Sequence, residues 1–245
     1  MNLHGKSLLF PPVCPLCGRP TPGLLCPDCA RRENEWSLSR YRLATGNYHL
    51  LHLMGAAALC RYRGPVRHAV RRMKYGGEPW RAAGFARLMA SRIFCCNYRA
   101  GYGIILPCEA MPVGVEFSAI VPVPPTRQGV HIPGLQAKQL GCDLRLPVQN
   151  ALYKSRPTPR QEELDRQGRL QNLWGSYAIS PGMSVEGKCI LLVDDVITTG
   201  ATAAACAQAL LAAGAESVFA IALATVEFEA FPAKDQPLQE NEPDF

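Results

Sequence analysis

Residues 189–202 read Cys-Ile-Leu-Leu-Val-Asp-Asp-Val-Ile-Thr-Thr-Gly-Ala-Thr, and their order indicates the fold class. Its first five residues, Cys189 to Val193, form an apolar run that is typical of a buried parallel strand. Two carboxylates and a turn of small and hydroxyl-bearing residues follow, and an alanine-rich segment then continues to Ala213 and Gly214, a typical helix end. The order strand, acidic pair, turn and helix predicts an α/β fold with a binding site at the carboxyl edge of its sheet.

The turn between this strand and this helix is suited to bind a phosphate group. A helix that begins there directs its unpaired N–H groups and the positive end of its dipole into the same space. Gly200 lets the backbone approach a phosphate because it has no Cβ, and neighbouring hydroxyls can donate further hydrogen bonds. The residues predicted to hold the phosphate are Thr198, Thr199, Gly200, Ala201 and Thr202.

The acidic pair, Asp194 and Asp195, is predicted to bind a neutral diol. Two carboxylates would repel a phosphate that touched them, whereas one sugar length away they can accept hydrogen bonds from vicinal hydroxyls. A phosphate-binding turn beside two such carboxylates describes a site for a ribose 5-phosphate. The alternative, an ordinary strand-to-helix turn, explains neither the adjacent carboxylates nor the three threonines around one glycine.

A second alternative is the magnesium-holding strand of a P-loop NTPase, which also ends in acidic residues. Such a protein needs a glycine-rich loop that ends in Gly-Lys-Ser or Gly-Lys-Thr. The chain contains Gly5-Lys6-Ser7, but it lacks the earlier glycine of that loop and a strand before it. It also lacks the G-x-G-x-x-G fingerprint of a dinucleotide site.

Two C-x-x-C knuckles predict a metal site. Cys14 and Cys17 form the first pair, Cys26 and Cys29 form the second, and each pair can place both sulfurs on one ion at about 2.3 Å. Four thiolates without a histidine suit a closed, structural Zn²⁺ site. Disulfides or a redox dithiol are the alternatives, but no signal peptide precedes the knuckles and the total of 11 cysteines is odd. We therefore expect a cytoplasmic protein with reduced thiols and no membrane insertion.

The composition is that of a soluble chain with a basic body. With 245 residues, of which 48% are hydrophobic, the chain can form one well-packed α/β domain and a small appendage. The net charge of +6 is uneven, because the segment from Thr225 onward carries six acidic residues and one lysine. We expect a zinc-knuckle module and connector at 1–50, an α/β domain at 51–228 and an acidic disordered tail at 229–245. A basic body suits a polyanionic ligand.

The segments between these landmarks alternate as an α/β fold requires. The predicted strands are 55–62, 117–123 and 217–226, and the predicted helices are 65–74, 79–94 and 133–141. A stripe of basic side chains along the first helix is either a solvated face or a positive surface for phosphates. Its members are Arg63, Arg67, Arg71 and Lys74. The polar, basic segment 154–172 predicts a mobile lid over a pyrophosphate.

Residues 190–202 resemble the thirteen-residue phosphoribosyl pyrophosphate (PRPP) motif of type I phosphoribosyltransferases. In that family the two acids hold the ribose hydroxyls and the following turn holds the 5′-phosphate. The resemblance implies a type I phosphoribosyltransferase-like parallel sheet flanked by helices, with PRPP bound by Val193, Asp194, Asp195 and 198–202. It implies transfer of a phosphoribosyl group from PRPP, with Mg²⁺ held mainly by the pyrophosphate and the diol.

The chain from Leu8 to Thr225 resembles the ComF family of competence-associated, phosphoribosyltransferase-like proteins. The motifs that carry the resemblance, beside the knuckles and the PRPP motif, are Leu9-Phe-Pro-Pro12, Arg61-Tyr-Arg-Gly-Pro65, Met73-Lys-Tyr-Gly-Gly77 and Val121-Pro-Val-Pro124. The resemblance implies an amino-terminal zinc module with four cysteine ligands. Lys74 is a candidate PRPP contact, because its positive charge could stabilise the leaving pyrophosphate. ComF relatives are associated with DNA uptake, so the resemblance also implies single-stranded DNA and an ATP-driven competence protein as candidate partners.

One loop departs from the family pattern. The family usually follows Val-Pro-Val-Pro with several arginines, whereas here only Arg127, Gly134 and Gln136 correspond. Type I enzymes hold the pyrophosphate at this loop, and Arg127 is the residue predicted to assist the two aspartates in catalysis. Three hypotheses follow: a transferase with an unidentified nitrogen acceptor, a PRPP-sensing or DNA-handling accessory, and a zinc-bearing adaptor with a relict pocket. The sequence indicates no oligomeric state.

Overall fold

A four-stranded parallel sheet forms the centre of the computed structural model of this chain, which describes residues 12–43, 50–101, 104–107, 116–125, 129–156 and 175–226. In chain order the helices and strands are α1 (Pro27–Arg31), α2 (Glu33–Trp36), β1 (Gly55–Arg61), α3 (Gly64–Tyr75), α4 (Arg81–Ile93), β2 (Tyr98–Gly101), β3 (Ile104–Pro107), β4 (Ala119–Pro122), α5 (Ile132–Leu144), β5 (Leu152–Lys154), β6 (Tyr177–Ile179), β7 (Cys189–Ile197), α6 (Ala201–Ala212) and β8 (Ser217–Thr225).

The strands of the central sheet lie in the order β1-β8-β7-β4, and every neighbouring pair is parallel. Leu192 at the middle of β7 pairs with Val121 on β4 and with Ala220 on β8. Parallel pairing in this register brings the carboxyl ends of the strands to one edge of the sheet. The expected α/β class, with a parallel sheet flanked by helices, is confirmed.

Helices cover both faces of the sheet, which explains the continuous apolar run of β7. Leu191 and Val193 pack into a layer with α3, α4 and α5. Ile190 and Leu192 face the opposite layer, where α6 and the small antiparallel pair β5–β6 lie. A strand that is buried on both faces gains from apolar side chains at every position, not at alternate ones.

Proline and glycine set the ends of the helices that approach the carboxyl edge. Pro65 and Pro133 lie in the first turns of α3 and α5, where the missing N–H leaves no intrahelical bond unmade. Gly76 ends α3, and a Cβ added there would lie 2.9 Å from the Cα of Arg72. The last turn of α3, which carries Lys74, is therefore held in a defined place.

The predicted helices and strands agree with the structure to within a few residues, with one informative difference. The apolar run predicts that β7 ends at Val193, but the strand continues through Ile197. The neighbouring strand explains this, because β8 pairs with β7 as far as Thr225 opposite Ile197. Asp194 and Asp195 consequently lie within the strand and not after it. The pairs β2–β3 and β5–β6 are not among the predicted elements.

Several predictions fall outside the described residues. These include the acidic tail at 229–245, Gly5-Lys6-Ser7, and most of the predicted lid. Within the described ranges, no helix combines the length and the apolar character that a bilayer crossing requires.

Candidate functional site

A cavity of about 300 Å³, here called the β7 cavity, opens at the carboxyl edge of the sheet. Three parts of the fold meet around it: the end of β7, the last turn of α3, and the segment between β4 and α5. The side chains that decide its chemistry are Lys74, Tyr75, His131, Asp194, Asp195 and Thr202. The predicted diol-binding acids and the first turn of α6 therefore border one space.

The two carboxylates of the β7 cavity are not equivalent. The Asp194 carboxylate accepts a hydrogen bond of 2.8 Å from the backbone N–H of Asp195. Burial raises the pKa of Asp194 to about 7, and the charge of Asp195 contributes to the same shift. The Asp195 carboxylate instead forms an ion pair with Lys74, with 2.6 Å between Oδ2 and Nζ. Asp194 thus titrates near neutral pH, while Asp195 is held in an ion pair.

Lys74 enters the cavity from α3, on the side opposite β7. Burial opposes the charge of its ammonium group, but the charge of Asp195 and the hydrogen bond to it outweigh burial and raise the pKa of Lys74. Asp194 adds to this effect. The ammonium group is therefore charged near neutral pH, and it offsets mainly the charge of Asp195.

The β7–α6 turn, residues 198–202, leads into the first turn of α6, and Thr199, Gly200 and Ala201 are buried there. Gly200 precedes α6 with φ of 84°, a left-handed conformation that favours glycine. The Thr199 hydroxyl is buried and accepts a hydrogen bond of 3.4 Å from the N–H of Ala201. Thr202 lines the cavity, and Thr198 is exposed. The free N–H groups in the first turn of a helix suit a phosphate.

The remaining predicted site residues lie elsewhere. Val193 is fully buried, and its carbonyl accepts a hydrogen bond of 2.8 Å from the N–H of Val123, so its side chain belongs to the core. Arg127 lies outside the described residues, although the segments on both sides of it line the cavity. From residue 157 to residue 174 the predicted basic lid is also outside the described part of the chain.

His131 is a cavity residue that the sequence analysis did not single out. Its Nε2 donates a hydrogen bond of 2.8 Å to the carbonyl of Val123, which closes the loop between β4 and α5. A Cβ at Gly134 would lie 2.5 Å from its Nδ1, so glycine makes room for the ring. A sequence feature that could have indicated His131 is its position in a short loop, directly after a strand that ends at the edge of the sheet where ligands bind.

The four knuckle cysteines form a second site, here called the cysteine cluster. Their sulfurs all lie within 4.8 Å of one another, and 3.6 Å separates the Sγ atoms of Cys17 and Cys26. Four sulfurs at about 2.3 Å from one tetrahedral ion would lie about 3.8 Å apart. The spacing therefore fits a metal ion held by Cys14, Cys17, Cys26 and Cys29, as predicted.

Local backbone bonds and one cation organise the cysteine cluster. The N–H of Gly18 donates to the carbonyl of Cys14 at 2.8 Å, and Gly18 adopts φ of 84°. Burial would raise the pKa of the Cys17 thiol, but hydrogen bonds from the backbone and side chain of Arg19 outweigh it and lower the pKa to about 6. Thiolates are the form that binds a metal, so Arg19 favours binding.

A buried arginine fastens the cysteine cluster to the rest of the molecule. The Arg81 side chain on α4 is only 2% exposed and donates a hydrogen bond of 2.7 Å to the carbonyl of Pro15. It also forms an ion pair with Glu78, which pairs in turn with Arg72 on α3. A Cβ at Gly18 would lie 2.8 Å from this guanidinium group. These contacts join the cluster to α3, the helix that carries Lys74.

Comparison with known proteins identifies relatives over most of the chain. This chain is 28% identical over 212 residues to the DNA utilization protein YhgH of Salmonella typhi. The match covers 84% of this chain and 81% of that protein. The protein of the same name from Escherichia coli K12 is 27% identical over 214 residues, with the same coverage.

Two solved structures show partial likeness. Glutamine phosphoribosylpyrophosphate (PRPP) amidotransferase from B. subtilis, complexed with ADP and GMP, has a TM-score of 0.36 and 20% identity. The match covers 57% of this chain but only 25% of that chain. A structure described as the allosteric regulatory enzyme of purine biosynthesis has a TM-score of 0.33 and 19% identity, over 58% of this chain and 25% of that one.

A family model matches the part of the chain that supplies every lining residue of the β7 cavity except Lys74 and Tyr75. The model is described as a phosphoribosyl transferase domain, and it matches residues 116–240, which are just over half of the chain. This range contains β4, β7, the β7–α6 turn and α6. The amino-terminal cysteine cluster and the YhgH relatives add the features of the ComF type. The chain therefore belongs to the phosphoribosyl transferase domain family, as a ComF-type member with a four-cysteine cluster.

Proposed function

We propose that this protein binds PRPP in the β7 cavity and transfers its phosphoribosyl group to a nitrogen nucleophile, with release of pyrophosphate. The observation that carries the proposal is the meeting of Asp194, Asp195 and Thr202 at one cavity. Carboxylates suit the ribose diol, and the start of α6 suits the 5′-phosphate. Both halves of a ribose 5-phosphate thus find matching groups at one cavity.

In the proposed reaction the bond between ribose C1 and the pyrophosphate oxygen breaks, and a bond from the nitrogen to C1 forms. The bonding electrons leave with pyrophosphate, and the nitrogen loses a proton to the surrounding water. Positive charge develops on the ribose ring, where Asp194 and Asp195 stabilise it. Lys74 and Arg127 are proposed to supply positive charge to the departing pyrophosphate. Mg²⁺ bound with PRPP would neutralise further charge on this leaving group.

Removal of both acids tests the proposed site. The double variant Asp194→Asn, Asp195→Asn should lose measurable PRPP binding by calorimetric titration with Mg²⁺ present. The double variant Glu186→Gln, Glu216→Gln is the matched control, because it removes two negative charges outside the cavity and should bind PRPP normally. Unchanged PRPP affinity in the folded aspartate variant would refute the site. A screen of nitrogen bases for pyrophosphate release would then test the transfer step.

We also propose that the cysteine cluster holds a structural Zn²⁺ ion, and that the protein works in the reducing cytoplasm. The support is the donor set: four sulfurs within 4.8 Å of one another, which would fill all four positions of a tetrahedral ion and leave none for a substrate. The boundaries of the zinc module (1–50), the transferase-like domain (51–228) and the acidic tail (229–245) belong to the same proposal.

A second function is favoured by a groove on α3, here called the α3 groove. The groove has a volume of about 590 Å³, and its lining residues are Arg67, His68, Arg71, Arg72, Tyr75 and Gly76. Tyr75 also lines the β7 cavity, so the two spaces adjoin. Together with the name of the YhgH relatives, this supports an accessory role in DNA uptake, in which PRPP regulates single-stranded DNA bound along α3. An ATP-driven partner would act beside it.

The DNA-binding role is tested by fluorescence anisotropy with a single-stranded oligonucleotide at several salt concentrations. The double variant Arg67→Gln, Arg71→Gln should bind more weakly, and the slope of log K against log salt should fall by about 1.4 if each arginine contacts one phosphate. The control Arg40→Gln, Lys138→Gln removes the same charge from other exposed positions. An equal loss of affinity in this control would show a nonspecific charge effect and contradict the role.

A further inference from the structure

The ion pair between Lys74 and Asp195 occupies a position that the proposed substrate needs. Asp195 is one of the two acids assigned to the ribose diol, yet its Oδ2 lies 2.6 Å from the ammonium nitrogen of Lys74. A ribose hydroxyl that donates to Asp195 must compete with this ammonium group. The Asp195 side chain is 14% exposed and that of Lys74 is 31% exposed, so the contact is partly shielded from water. Displacement of Lys74 therefore has a substantial cost.

Lys74 can leave Asp195 by rotation of its own side chain. The backbone of α3 is fixed there by the buried Met73 beside it and by the close packing of Gly76 on Arg72. A lysine side chain has four carbons and several rotamers, and the β7 cavity provides the space into which it can turn. The exchange thus needs a side-chain movement and no helix movement.

The released ammonium group needs another anion. Among the described lining residues, the other ionisable groups are Tyr75, His131 and Asp194. Asp194 already accepts the N–H of Asp195 and is assigned to the ribose diol, while Tyr75 and His131 offer no carboxylate, so none of the three replaces the lost partner fully. A ligand with a second anionic group near its diol would provide one. PRPP carries such a group, the pyrophosphate on C1, whereas ribose 5-phosphate does not.

We propose that Lys74 makes the site selective for PRPP over ribose 5-phosphate by exchanging its partner from Asp195 to the pyrophosphate. This inference rests on the proposed function, because it assumes that PRPP binds in the β7 cavity. Ribose 5-phosphate must break the ion pair without compensation. PRPP breaks the same pair and forms a new one. Lys74 is therefore a specificity-determining residue, and it keeps the diol site closed to sugars that lack a leaving group.

The variants Lys74→Gln and Lys74→Met test the exchange, with the affinities of both PRPP and ribose 5-phosphate measured by calorimetry. The affinity for PRPP should fall about tenfold, because its new ion pair is lost. The affinity for ribose 5-phosphate should rise about three- to tenfold, because no ion pair has to be broken. Opposite changes for the two ligands cannot come from a general loss of structure. A cooperative thermal unfolding transition will show that each variant is folded. If one of the two variants does not fold, the other still tests the exchange.

Lys138→Gln is the matched control, since it removes one positive charge from an exposed position of α5 that does not line the cavity. Both ligands should bind this variant as they bind the wild type. If the affinity for ribose 5-phosphate is unchanged or lower in both Lys74 variants, Lys74 only attracts pyrophosphate and the exchange is refuted. If the wild-type protein binds neither ligand, the proposed function itself fails, and the two failures are thereby distinguished.

Discussion

The cysteine cluster and the β7 cavity are built in opposite ways. All four metal donors of the cluster come from one short segment, Cys14 to Cys29, and hydrogen bonds within that segment set their spacing. The cavity instead combines residues from Lys74 to Thr202, brought together by the sheet and three helices. Local spacing therefore fixes the donors of the first site, whereas tertiary packing decides the charge balance of the second. A sequence motif therefore identifies the candidate ligands of the first site, but it does not reveal how the charged groups of the second are paired.

The largest effect is expected from loss of one ligand in the cysteine cluster. Cys26→Ser should abolish stoichiometric zinc, measured by elemental analysis, and lower the melting temperature by roughly 8–16 °C. The reason is that a metal bound only by the folded state contributes about 4 kcal/mol when its free concentration is a thousand times Kd. Cys142→Ser is the control, because Cys142 is exposed and lies outside the cluster. A wild-type melting temperature in Cys26→Ser would show that the cluster is not a folding element.

A smaller effect is expected where the two regions are joined. Glu78→Gln weakens the ion pairs with Arg81 and Arg72, and it leaves the buried guanidinium group of Arg81 without its anion. The free energy of unfolding, measured in urea, should fall by about 2 kcal/mol, while the zinc content stays unchanged. The control Glu35→Gln breaks an exposed pair with Arg32 and should have no measurable effect. Equal stability of the two variants would mean that the connection has no energetic role.

The charged groups of the β7 cavity predict that PRPP affinity depends on pH. The cysteine cluster would not cause this dependence. Since the pKa of Asp194 is raised to about 7, this carboxyl group is protonated below that pH and ionised above it. PRPP affinity should therefore rise with pH up to about 7, by as much as tenfold per unit, and then level off. Asp194→Asn should reduce this dependence to that of PRPP alone. A profile that is identical in the variant and the wild type would exclude Asp194 as its source.

The same shift affects stability, and its sign follows from proton linkage. The folded chain holds the Asp194 proton more tightly than the unfolded chain does. The contribution of Asp194 to folding therefore becomes less favourable as the pH rises from about 4 to about 7. Above that range both states are ionised and the contribution is constant.

The sequence predicts more about the cysteine cluster than about the β7 cavity. The α/β class, the positions of α3, α4 and α5, and the four metal donors are predicted, because each depends on local period or spacing. The pairing of Lys74 with Asp195 is not predicted, although Lys74 is expected to contact PRPP. No local pattern states which side chains meet across a cavity. Likewise, β7 extends to Ile197 because β8 pairs with it that far. The strand propensity of the β7 residues alone does not indicate this pairing.

The smallest effect is expected at Gly200, and it isolates the phosphate-binding role of the β7–α6 turn. Gly200→Ala places a Cβ on a residue with φ of 84°, which should lower stability by about 1 kcal/mol. Gly182→Ala is a matched control, because Gly182 has φ of 78° and open space around a Cβ. The two variants should lose similar stability in urea unfolding. Only Gly200→Ala should also weaken PRPP binding, since only that Cβ lies where α6 begins. If both variants bind PRPP equally well, the turn tolerates a side chain, and close approach of its backbone to the 5′-phosphate is not required.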